Sequence, residues 1–93
     1  MKKKNNRKIP KHFDLAITGV EIFSANEIIV SFNNNEIESR LVDLRKFDEL
    51  KDLLTIDRKM LKNIEFSDYS IYWGDEFKYS ISEDQAWIRG KPF

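Results

Sequence analysis

From Phe13 onward the apolar residues of this chain fall into short period-two runs, each closed by Asn, Gly, Asp or Ser. Alternation of that kind buries one face of a β-strand and leaves the other wet, and the breaks between runs mark turns. The chain is thereby restricted to a small antiparallel sheet, with room for helices only where the period changes. Ala16, Thr18, Val20 and Ile22 alternate with Leu15, Ile17 and Gly19, so both faces are apolar and this strand is expected inside a sheet. Ser24-Ala25-Asn26 closes it. Ile28, Val30 and Phe32 form the next run, and Asn33-Asn34-Asn35 follows; asparagine tolerates the left-handed backbone that tight turns require. The segment from Glu36 to Leu44 sets Ile37 and Leu41 against Glu38 and Arg40, completing a meander.

The rhythm then changes. Phe47, Leu50, Leu53 and Leu54 make one apolar stripe of a short helix, and Asp57 is placed to cap a second helical turn through Asn63, with Met60 and Leu61 facing inward. Strand character returns at Ile64 and Phe66. Tyr69, Ile71 and Trp73 alternate with Ser70 and Tyr72, Gly74-Asp75-Glu76 turns the chain, and Phe77, Tyr79 and Ile81 complete a second hairpin. Ser82 with Gln85 forms a capping box, and Ile81 with Ala86 the accompanying staple. A helix from Glu83 to about Arg89 follows, with acids in its first turn and Gly90 and Pro92 at its end. The fold class is therefore α+β: an antiparallel sheet of about five to six strands, meander plus second hairpin. One or two short helices lie on one face, and a short helix lies near the C-terminus.

Charge divides the 93 residues differently. The first eleven carry Lys2, Lys3, Lys4, Arg7, Lys8 and Lys11 and no acid, whereas the remainder holds ten Lys/Arg against sixteen Asp/Glu. A zero net charge thus conceals a +6 arm on a −6 body. Residues 1–11 are too polar to offset their ordering entropy and are expected to be disordered alone, with residues 12–93 forming one domain. Seven Phe, three Tyr and two Trp supply a core without disulfides, since cysteine is absent. That pattern suits a reducing, cytoplasmic setting, and neither a membrane span nor a signal-peptide apolar region is seen.

The quoted segments resemble a small bacterial domain-of-unknown-function family, number 2442. The resemblance is carried by Ser31-Phe32-Asn33-Asn34-Asn35, Val42-Asp43-Leu44, the stretch from Phe47 to Leu54, and Tyr72-Trp73-Gly74-Asp75-Glu76 leading to Ile81-Ser82-Glu83-Asp84. It spans residues 15–88, and Asn35 and Gln85-Ala86 depart from the family pattern. What it implies is a role beside another small protein, as in toxin–antitoxin pairs. In longer relatives a helix-turn-helix follows the domain, and none is expected before Phe93.

Catalytic chemistry finds little support. His12 stands alone beside Pro10 and Lys11, without partners for a triad or a metal site. Asp75 and Glu76 fit a turn, and Glu83 and Asp84 a helix start, better than they fit a cation site. No catalytic, cofactor or metal residues are named, and a non-enzymatic role is expected. The expected partner is a protein, toxin-like or nucleic-acid-processing, gripped through Tyr72, Asp75, Glu76, Tyr79, Glu83 and Asp84, with Tyr72 and Tyr79 sharing an exposed patch. An inhibitor that fills a nucleic-acid-binding groove by charge mimicry belongs to the same class. The alternative is a nucleic-acid accessory protein using the six basic residues of the arm. No membrane partner is expected, and the chain is expected to be a monomer or small homo-oligomer.

Overall fold

The computed structural model describes residues 15–93. Strands β1 (Ile17–Ser24), β2 (Glu27–Phe32) and β3 (Arg40–Asp43) form the antiparallel meander. Four helical turns follow: 3₁₀ at Leu44–Lys46 and at Asp48–Leu50, one α-turn, α1 (Lys51–Leu54), and 3₁₀ at Arg58–Lys62. Strands β4 (Glu65–Phe66), β5 (Ser70–Trp73) and β6 (Tyr79–Ser82) form the second antiparallel unit. Helix α2 (Glu83–Arg89) and strand β7 (Lys91–Pro92) complete the chain. The architecture is α+β.

Among the described residues, seven strands are divided between two sheets, of order β1-β2-β3-β7 and β4-β5-β6. The division follows from the helical turns between β3 and β4, which carry the chain out of the first sheet. The inner faces of both sheets, with Phe47, Leu50, Leu53, Ala86 and Trp87, close on one hydrophobic core. Among the described residues, no helix is long and apolar enough to cross a membrane.

Two strands differ from their sequence pattern. β1 lies at a sheet edge, and Glu21 to Ser24 are exposed. Its two-sided apolarity arises from a register shift between Ile17 and Gly19: Ile17 stands opposite Phe32 and Val20 opposite Val30, so residues of opposite parity face the same core. In β3 the inward side chains are Arg40 and Val42, and Leu41 points outward. Arg40 is buried, its guanidinium 3.8 Å from the centre of the Trp87 ring and donating to the Gly90 carbonyl at 3.4 Å. Stacking on the indole lets a cation occupy a position that alternation alone assigns to an apolar residue. The 47–54 stripe does bury Phe47, Leu50 and Leu53, though through a 3₁₀ turn and a single α-turn.

Local turn chemistry is closely obeyed elsewhere. Asn33, Asn34 and Asn35 all take positive φ, and the Asn33 carboxamide accepts from the Ala16 amide at 2.8 Å. Ser82 Oγ accepts from the Gln85 amide at 3.3 Å, capping α2, and Arg89 lies in its last turn. Ser82→Ala is expected to cost about 1 kcal/mol, read as a lowered urea midpoint at unchanged slope.

Candidate functional site

The β5–β6 connection is the most unusual backbone of the second sheet. Gly74 has φ 85°, and Glu76 and Phe77 follow at 55° and 57°. Gly74 suits that region, but a bulky aromatic there is strained. Phe77 is consequently part of the turn and not of the strand that its alternation with Tyr79 and Ile81 suggests. It is 61% exposed, and its ring meets Tyr72 edge to face with centroids 4.5 Å apart. Tyr72 projects from the outer face of β5, with Glu65 and Ser80 opposite it on the flanking strands. Asp75 and Glu76 are exposed beside this ring pair. The nearby cation, Lys78, is turned away to Asp57, 3.3 Å distant. The hairpin end therefore presents two aromatic rings with an acidic border.

Tyr79 does not join this surface. The ladder sets Trp73 opposite Tyr79 and Tyr72 opposite Ser80, so Tyr79 faces the core and is buried. The expectation of a shared Tyr72–Tyr79 patch is overturned by that register. The Tyr79 hydroxyl instead donates to Asp57 Oδ2 at 2.5 Å, tying the hairpin to the 3₁₀ turn before β4. Asp57 makes no side-chain cap at Arg58–Lys62, since its carboxylate is engaged by Tyr79 and Lys78.

Those two donors, tyrosine first, hold the Asp57 carboxyl below its ordinary 3.8. The same hydrogen bond, then burial and the carboxylate charge, push Tyr79 up to about 12. A carboxyl lowered on folding adds stability above its unfolded pKa, and this is lost as pH falls through the folded value. A phenol raised on folding adds stability below 10.0, lost as pH rises towards about 12. The contact is at full strength between about pH 5 and 9. Tyr79→Phe should lower stability by a constant amount across that window, with urea midpoints of variant and wild type converging at both extremes. A gap that stays constant below pH 3 would show that Asp57 is not the acceptor.

The four acids of the sequence reading do not come together. Asp75 and Glu76 lie at the turn, whereas Glu83 and Asp84 begin α2 beyond the far end of β6, where the Glu83 amide donates to the Tyr69 carbonyl at 3.0 Å. Four strand residues separate the pairs, roughly 13 Å at the usual rise. Among the described residues, no three His, Asp or Glu side chains are grouped to hold a metal ion. Glu83 and Asp84 act locally, against the positive end of the helix. Lys2, Lys3, Lys4, Arg7, Lys8, Lys11 and His12 lie outside the described residues.

Phe77 and Glu65 are the surface residues that sequence reasoning missed. Glu65 sits in a strand of two residues, too short for a period to show. Comparison with family models, with curated proteins and with solved structures finds no match. The resemblance to family 2442 rests on its motifs alone.

Proposed function

We propose that this chain is a small non-catalytic protein-binding domain, an antitoxin-like regulator or inhibitor, whose docking surface is the end of the β5–β6 hairpin. Tyr72 and Phe77 form its apolar centre, and Asp75, Glu76 and Glu65 its acidic border. The observation that carries this reading is Phe77, an exposed aromatic held in a left-handed turn position where glycine or asparagine would be more stable. Exposed aromatics with charged surroundings are the usual energetic centres of protein interfaces. An acidic border favours a partner with a basic surface and speeds its encounter.

The test compares partner capture from the native host by full-length wild type, Phe77→Gly and the double variant Asp75→Lys/Glu76→Lys. Phe77→Gly relieves the backbone strain, so its thermal midpoint should equal or exceed that of wild type while the captured partner is lost. The double variant should lose the same partner at unchanged fold. Capture undiminished in both variants would overturn the reading. So would captured nucleic acid that depends on the arm residues.

A further inference from the structure

The first sheet has a second apolar surface, on the side away from the core. Along its middle, one row of outward residues runs across all four strands: Glu21 pairs with Ile29, Ile29 with Leu41, and Leu41 with Lys91. Ile29 and Leu41 are half-buried on that face. Phe23, from the end of β1, meets Phe93, just past β7, edge to face at 5.5 Å. These rings remain 52% and 61% exposed. The result is an aliphatic centre spanned by an aromatic bridge, with an acid at one edge and a base at the other. Neither Glu21 nor Lys91 makes an ion pair among the described residues. Of the acids bordering the row, Asp43 is paired with Arg45 at 2.9 and 2.8 Å, and Glu27 accepts from the Ser24 hydroxyl at 2.7 Å and keeps its charge.

We infer that this face binds a second copy of the chain, sheet against sheet, around a two-fold axis parallel to the strands. That operation exchanges the two edges of the sheet. Glu21 of one copy then stands over Lys91 of the other, and Lys91 over Glu21, while Ile29 of each copy faces Leu41 of the other. It also lays one Phe23–Phe93 bridge across the other. A two-fold axis perpendicular to the strands would oppose Glu21 to Glu21 and Lys91 to Lys91, so this edge pair favours the axis parallel to the strands, which sets Glu27 only against the Asp43–Arg45 ion pair of the other copy. Self-complementarity under a two-fold is what an isologous dimer requires, and two twisted sheets pack readily face to face. The row is short, so the dimer is weak, with a dissociation constant of about 10–100 μM.

Sedimentation of the full chain from 5 to 500 μM tests this. Wild type should shift from monomer to dimer across about that range. Glu21→Lys or Lys91→Glu alone opposes like charges twice in the symmetric dimer and should weaken it at least ~10-fold. The double variant Glu21→Lys/Lys91→Glu should restore the affinity to within ~3-fold. As a measurement independent of variant folding, carbodiimide coupling of a one-to-one mixture of ¹⁵N-labelled and unlabelled wild type should yield mixed-isotope Glu21–Lys91 peptides. A monomer at 500 μM overturns the proposal, including one whose outer face is shielded by residues 1–14. So does a dimer indifferent to Phe23→Ser, or one that the double variant fails to restore.

Discussion

Trp73→Ala should lower the unfolding free energy by about 3–5 kcal/mol, the largest effect expected of any single truncation in this chain. Trp73 is fully buried at the turn end of the β5–β6 hairpin, where it pairs with Tyr79, and its indole N–H donates to the Leu61 carbonyl at 3.2 Å. Truncation thus empties the largest side-chain volume in the core and leaves a carbonyl without its donor. Trp73→Phe separates the two contributions, since it keeps most of the ring volume but not the donor; it should cost clearly less. Urea unfolding followed by far-ultraviolet circular dichroism measures both. Because a domain of this size carries only about 5–15 kcal/mol in total, the alanine variant should be close to unfolding at 37 °C. A midpoint near that of wild type would place the indole at the surface.

Gly90→Ala should destabilise by about 1–3 kcal/mol, and Gly90→Val by more. The reason is space, since Gly90 has φ −78°, which any residue adopts. A β-carbon there would sit 2.7 Å from the Ala86 carbonyl oxygen, 2.8 Å from Arg40 Cβ and 3.1 Å from Val42 Cγ2. Two of these atoms belong to β3 and one to the helix backbone, so relief requires α2 to move off the sheet. Such movement would also disturb Arg40 on Trp87 and the β7–β3 pairing. The lower urea midpoint should therefore be accompanied by a changed near-ultraviolet spectrum from Trp87. An unaltered spectrum and midpoint would mean that helix and strand stand further apart than described.

Both sites bear on what was legible in advance. Gly90 is expected from the sequence as a helix stop, which it is, but its closeness to Arg40 and Val42 has no local signature. Arg40 falls in a stretch whose alternation assigns Leu41 to the core, and only the Trp87 ring, 47 positions later, explains the opposite register. The shift at Ile17–Gly19 makes an edge strand imitate a central one. At the candidate site, Tyr72, Asp75 and Glu76 are placed as their alternation and turn chemistry suggest. Tyr79 and Phe77 exchange roles, because the turn runs longer than Gly74-Asp75-Glu76 and takes Phe77 into it.

The features set by residues close together along the chain are the meander, the left-handed asparagine turn, the Phe47-Leu50-Leu53 stripe, the second hairpin and the capped α2. Each depends on neighbours within a few residues, through side-chain period, positive-φ tolerance or a capping hydroxyl. Long-range packing settles the division of the strands into two sheets, the extension of the first by β7, the burial of Arg40 and the separation of the acids into two pairs. Those outcomes turn on contacts between residues dozens of positions apart, where packing volume and ladder register outweigh local preference. The row from Glu21 to Lys91 is the clearest case. Its four residues are unremarkable along the chain, and they become one surface only when three strand pairings bring them side by side.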